Sequence, residues 1–298
     1  LQAGRSECIS RHAWPTPFSG TVSMLKDRPT PYNSAMDNRM QRFGGIERLY
    51  GRGSLERLAQ CRVAVIGIGG VGSWLVEALA RSGIGGLSLF DADEVCVSNS
   101  NRQLPALEGN FGHNKAELMK ARCLAINPEL RVEAVASFIT PSNMAEQLAP
   151  GFDMIIDACD SFRVKVELIA WCRRRKQKLI VVGAAGGRTD PTQVRIRDLA
   201  RTEQDALLAL IRRKLRIEFN FPKNKDRYFS IPAVYSLENV QYPQADGTVC
   251  GLRPALNPDA GFKLDCGDGL GAATHVTGAF AFAASAKAME LLLASKTK

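Results

Sequence analysis

Four glycines stand in one short stretch, Gly67-Ile-Gly69-Gly70-Val-Gly72, directly behind the apolar run CRVAVI. Glycines so placed close a tight strand-to-helix turn and bring backbone amides against an anion. The helix that follows turns its positive end toward phosphate. Asp91 lies nineteen residues beyond Gly72, with Asp93 close behind, where a strand-end carboxylate accepts hydrogen bonds from ribose hydroxyls. These residues suit a dinucleotide and ATP alike. The residues downstream separate the two. Asn99, Arg102 and Gln103 fall within VSNSNRQ, Lys115 within HNKAE, and Asp160 closes DACD. A dinucleotide's pyrophosphate is met largely by backbone and helix dipole, whereas a triphosphate under cleavage carries charge that Arg102 and Lys115 would offset. A carboxylate such as Asp160 beside those oxygens is best explained as a Mg²⁺ ligand. Each residue also has a plainer role open to it. Arg102 and Lys115 would serve as solvated surface charges, Asp91 as a cap, and Asp160 as the N-cap of a helix beginning at Ser161.

These residues need a frame that brings strand ends together. From Arg62 onward, short β-rich runs alternate with helical segments. CRVAVIG, LSLFDAD, RVEAVAS, DMIIDACD and KLIVVGAAG read as strands. SWLVEALARSG, HNKAELMKARCLAINP, MAEQLA and RVKVELIAWCRRRK read as helices between them. The alternation predicts an α/β fold, a doubly wound, mostly parallel sheet of Rossmann type covered on both faces. After Gly187 the rhythm changes: TQVRIRDL reads as an edge strand, ALLALIRRKLR as a basic helix, and PKNKDRYFSIPAVYS as a loop leading into a strand. Residues 39–187 are therefore expected to form the nucleotide-binding core. Residues 188–298 then extend the same domain on the substrate side and end in a closing helix.

Composition bounds the rest. The chain has 298 residues, 45% hydrophobic and 23% charged, as a globular α/β protein should, and its net charge of +9 points to an acidic partner such as nucleic acid. Three basic clusters, Arg173–Lys178, Arg212–Arg216 and Lys223–Arg227, would track phosphates or else lie solvated at helix ends. None of the eight cysteines is spaced as Cys-x-x-Cys, which excludes a zinc ribbon and fits a reducing, cytoplasmic compartment. Cys61 and Cys159 should behave as small hydrophobes. Residues 1–38 carry four prolines and no periodicity, and are expected to be a disordered leader. The uncharged run from Gly269 to Ala286 is rich in Gly and Ala and is broken by Lys287 and Glu290. It reads as a buried, closely packed helix; a membrane-associated helix is the alternative.

GIGGVGSWLVEALARSGIG, LFDADEVCVSNSNRQ, GHNKAE and IDACDS together resemble the ubiquitin-activating-type adenylation family. The resemblance implies that Gly67, Gly69, Gly70, Gly72, Asp91 and Asp93 hold ATP, that Asn99, Arg102, Gln103 and Lys115 contact its phosphates, and that Asp160 binds magnesium. It also implies a homodimer in which an N-terminal arginine, here Arg42 in RMQRFGG, reaches the neighbour's ATP. QRFGGIERLYG, VGAAGGRTDPTQVRIRDLARTEQDAL, YPQADGTVCGL and DCGDGLGAATHVTGAFAF are similar to the branch that dehydrates threonylcarbamoyladenosine in tRNA. That branch implies adenylation of the modified base's carboxylate followed by ring closure, with tRNA as substrate and a sulfur-transfer protein as a further partner. No nucleophilic cysteine is required, though Cys250 stays open as a covalent group. The rival within the family is activation of a small sulfur-carrier protein; outside it stand an NAD-dependent oxidoreductase, which leaves Arg102, Lys115 and Asp160 without a task, and a non-catalytic scaffold.

Overall fold

The computed structural model describes residues 35–224, 226–244, 246–252 and 270–294. Most of the expected leader, Cys266 and the DCGDG part of the closing motif lie outside the described residues. Helix α1 (Ala35–Tyr50) begins inside the stretch assigned to the leader; Arg39 ties its early part to Glu129 at 3.2 Å, and Phe43 and Gly44 are buried one turn further on. Glu47 then accepts hydrogen bonds from Ser54 Oγ and Leu55 N, at 3.2 and 2.9 Å, and sets the corner into α2 (Ser54–Gln60).

The chain continues through β1 (Arg62–Ile66), α3 (Gly70–Arg81), β2 (Gly86–Phe90), α4 (Lys115–Ile126), β3 (Arg131–Val135), α5 (Met144–Gln147) and β4 (Met154–Asp157). It then adds α6 (Phe162–Arg175), β5 (Leu179–Val182), β6 (Val194–Asp198), α7 (Ala206–Glu218) and β7 (Pro232–Ser236). A two-stranded ribbon of β8 (Tyr242–Pro243) and β9 (Val249–Cys250) precedes α8 (Thr274–Leu293). Seven strands make one sheet in the order β3-β2-β1-β4-β5-β7-β6. All pair in parallel except β6, the expected edge strand, which runs antiparallel to β7 with Ile196 opposite Val234.

β1 shows why a continuous apolar run was needed. Val63 and Val65 face one buried cluster with α3, α4 and α8, while Ala64 and Ile66 face the other with α6 and α7. Strand order reverses between β1 and β4, so their carboxyl ends border an open crevice. α3 ends where expected, Gly83 taking φ +77°. α8 differs from expectation in extent. It starts at Thr274 and runs through Lys287 and Glu290, which pair with each other at 2.6 Å on its exposed side rather than ending it. Its Ala281, Ala284 and Ala288 are buried at helical spacing, in the close contact with α3 that small residues permit.

Candidate active site

The glycines divide the labour of the turn. Gly67 has φ +88°, and a Cβ there would lie 2.8 Å from the Cys159 backbone. A Cβ on Gly72 would lie 1.8 Å from the Gly67 carbonyl oxygen. Both positions are closed to any side chain. A Cβ on Gly69 would instead meet nothing within 4 Å among the described residues, which leaves the backbone face open toward the crevice. The first amides of α3 have no acceptor within their own helix and point the same way. Asp91 braces this turn: its carboxylate oxygens accept from Ile68 N at 2.6 Å and from Asp93 N at 2.8 Å. Burial raises its carboxyl above the ordinary 3.8, although both amides pull the other way.

The loop after β2 folds back over the turn. The Asn99 carbonyl accepts from the amides of Arg102 and Gln103, and its buried side chain accepts from Cys96 N at 3.1 Å. The stem of Arg102 passes over Gly70, with Cγ 3.4 Å from where a Cβ would stand. Its guanidinium donates to Ser98 O and Asn101 Oδ1, both at 2.9 Å. Asn99 Nδ2 and Gln103 Oε1 are buried with no protein partner among the described residues, so two polar atoms are left for a ligand or water. α8 closes the far side: Thr274 Oγ1 donates to Asn101 O at 2.6 Å, Asn101 Nδ2 to Ala272 O at 2.8 Å, and Thr277 sits 3.1 Å from the Gly70 Cβ position.

Lys115 is not a solvated charge. It opens α4, whose N-cap Asn114 accepts from the amides of Ala116 and Glu117, and its nearly buried ammonium pairs with Asp93 at 2.8 Å. Asp160 is exposed beyond β4; Ser161, not Asp160, holds the N-cap position of α6. Arg42 does not join this group. It bonds to Asn38 and to Ile126 O, at the end of α4 opposite the crevice.

One further group escaped the sequence reading. Lys165 and Asp157 are both fully buried and pair at 2.9 Å, and Lys165 Nζ also donates to Asp157 O at 3.3 Å. Burial alone would lower the Lys165 ammonium, but Asp157, Cys159 and Asp160 outweigh it and hold it above 10.5. The Cys159 thiol donates to Asp157 Oδ1 at 3.0 Å, so it is a hydrogen-bonded group rather than the small hydrophobe expected. Burial and the neighbouring carboxylate push that thiol well above 9.0. A lysine inside the apolar face VKVELIAWC was the available signal.

The sequence profile of the ThiF family matches residues 45–295. The chain belongs to the ThiF family. It is 47% identical over 87% of its length to tRNA threonylcarbamoyladenosine dehydratase of Escherichia coli, covering 96% of that protein, and 49% identical over 88% to the Haemophilus influenzae protein of the same name, covering 97%. A solved structure of E. coli tRNA N6-threonylcarbamoyladenosine dehydratase in complex with ATP superposes with a TM-score of 0.74 at 44% identity, over 86% of this chain and 95% of that one. The mostly parallel Rossmann-like sheet is thus the ThiF fold.

Outside the crevice, this ThiF chain uses several of its expected cations internally. Arg212 bonds to Thr202, Lys214 pairs with Glu218, and Arg216 stacks over Phe229 at 5.2 Å, so within Arg212–Arg216 it is Arg213 that stands exposed with no bonded partner among the described residues. Arg188 is buried and donates to the carbonyls of Ala184, Ser236 and Gln204, which fixes the loop after β5. A cavity of about 640 Å³ lies away from the crevice, at the amino edge of the sheet, among Arg173, Lys176, Lys178, Arg197 and Lys287. Cys250 sits half-buried on β9, its thiol directed at Leu252 O.

Proposed function

We infer that this chain uses ATP to dehydrate threonylcarbamoyladenosine in tRNA. One observation carries the reading: the glycine turn, Arg102, the Lys115–Asp93 pair and Asp160 all border the crevice where strand order reverses, in a chain 47–49% identical to dehydratases of that name across nearly their full length. The open face at Gly69, the free amides of α3 and the unpartnered Asn99 and Gln103 atoms suit a nucleotide. Among the described residues there is no cluster of three His, Cys, Asp or Glu to cage a metal. Asp160 alone, with phosphate oxygens completing the shell, suits Mg²⁺, which keeps few protein ligands and would supply charge neutralisation there.

The chemistry follows from what the substrate lacks. Its carboxylate cannot lose hydroxide, so the carboxylate oxygen attacks the α-phosphorus and pyrophosphate leaves. A ureido nitrogen or oxygen then attacks the acyl carbon, AMP departs, and one proton is released, for a net loss of water. The chain contributes position and charge. The α3 amides and Arg102 hold phosphate oxygens, Lys115 sets charge beside them, and the loop fixed by Arg188 walls the substrate side. Arg42 would act only toward the crevice of a second copy, in a homodimer. A cytoplasmic location goes with this reading, and α8, packed on α3, serves as a core helix rather than an anchor.

Mass spectrometry of nucleosides from tRNA incubated with protein, ATP and Mg²⁺ tests the reading: threonylcarbamoyladenosine should lose one water. Pyrophosphate exchange stimulated by a sulfur-carrier protein and not by modified tRNA would transfer the chain to carrier activation. Absence of any Mg²⁺-dependent ATP affinity would remove both.

A further inference from the structure

We propose that Lys165 is a positioning residue of the nucleotide crevice, clamping the strap Asp157–Asp160 against the glycine turn so that Asp160 is presented to the metal-bound nucleotide. The proposal rests on the ATP reading above and deepens it.

The strap is held at its start and in its middle. At its start, Lys165 Nζ grips Asp157 twice, through the carboxylate at 2.9 Å and the main-chain carbonyl at 3.3 Å. The same carboxylate oxygen takes the Cys159 amide at 3.2 Å and its thiol at 3.0 Å, which curls the strap back on itself. In the middle, the Cys159 backbone lies so close to Gly67 that a Cβ there would stand 2.8 Å away. Asp160 is the next residue, and it is exposed. A push on Asp157 therefore passes through Cys159 to the phosphate turn on one side and to Asp160 on the other. The two acids of DACD have unlike tasks: Asp157 is consumed by Lys165, and Asp160 is left for the ligand.

A buried ion pair is a poor source of stability, since apolar groups of like volume do as well or better. Its position beside a ligand strap points to another use. Asp157 Oδ2 has no partner among the described residues, so Lys165 is the charge that compensates this carboxylate. Lys165→Met alone would strand a buried carboxylate and endanger the fold. The double variant Asp157→Asn/Lys165→Met removes both charges at nearly constant volume.

The test measures ATP affinity of the full chain by calorimetry, once in EDTA and once in Mg²⁺, alongside the thermal midpoint. The double variant should fold and bind ATP in EDTA within about twofold of the wild type, because the glycine turn is intact. The enhancement by Mg²⁺ should fall about tenfold or more, the loss typical of a removed outer-shell partner. Wild-type enhancement in the folded double variant would make the pair a purely structural one and overturn the proposal. Should the double variant fail to fold, Lys165→Arg keeps the charge but puts a larger planar fork in a fully buried site and so shifts the strap, and a full wild-type Mg²⁺ enhancement there is equally fatal. A wild-type chain that binds no ATP at all would instead defeat the function reading from which this one grows.

Discussion

At the residue scale, two substitutions separate shape from chemistry. A Cβ on Gly72 would stand 1.8 Å from the Gly67 carbonyl, and both atoms belong to backbone that β1 and α3 hold in place. Gly72→Ala should therefore cost about 1–3 kcal/mol or more of unfolding free energy, as other overpacked sites do, and a urea titration reads it directly. Asp160→Asn is the reverse case. The side chain is exposed, so the unfolding free energy from the same titration should change by no more than about 0.5 kcal/mol. Turnover of modified tRNA should nearly vanish, and near-normal turnover would take the metal role away from Asp160. The glycine positions were legible because a turn constrains its own neighbours. The Lys115–Asp93 pair was not, because twenty-two residues and the whole loop after β2 separate the partners.

At the element scale, α3 is the member on which the crevice depends, and Glu77 clasps it. Its carboxylate accepts from Arg81 at 2.7 Å within α3 and from Arg122 of α4 at 2.6 and 3.1 Å. Burial alone would raise the Glu77 carboxyl, but the two arginines overcome it and hold it below the ordinary 4.5. A carboxyl depressed in the folded state adds stability that is present above about pH 4.5 and is lost as pH falls through the lower folded-state value. Glu77→Gln should thus lower stability by about 1–3 kcal/mol at neutral pH, and the gap between variant and wild type should narrow in acid. Thermal melts at pH 7 and pH 4 check both halves. Helix and strand types were legible from periodicity between Arg62 and Val182, whereas α1, α2 and the β8–β9 ribbon carry no such pattern and went unread. The extent of α8 was not legible either, since Lys287 and Glu290 look like breaks until the helix turns them outward as an i,i+3 pair.

At the scale of the whole molecule, the position of Arg42 makes a prediction about assembly. It sits at the far end of α4 from its own crevice, so any part it plays in the reaction must be across a dimer. Arg42→Ala and Asp160→Asn should each be inactive alone, and mixing them should restore about a quarter of wild-type activity through hybrid dimers with one intact site, on the assumption of random exchange in a closed twofold pair. No recovery on mixing, with exchange verified by mass, would place Arg42 outside the reaction. The charge of +9 makes a second prediction. Affinity for tRNA should fall linearly on a log–log plot against salt, while Arg212 and Arg216, half-buried against Thr202 and Phe229, should contribute little to the slope. Filter binding of Arg212→Ala across a salt series measures it.

What the linear chain determined by itself was the fold class, the glycine turn and the order of chemistry-bearing groups along it. Each of these depends on neighbours in sequence: strand and helix periods on residues two to four apart, the turn on the conformations open only to glycine. What tertiary structure alone decided was which charges remain available. Asn101 meets α8 across more than 170 residues, Arg212 is turned toward Thr202, and Asp157 is neutralised by Lys165 while Asp160 stands exposed. Which charges face the crevice and which are turned inward is settled by packing between segments that the chain order keeps apart.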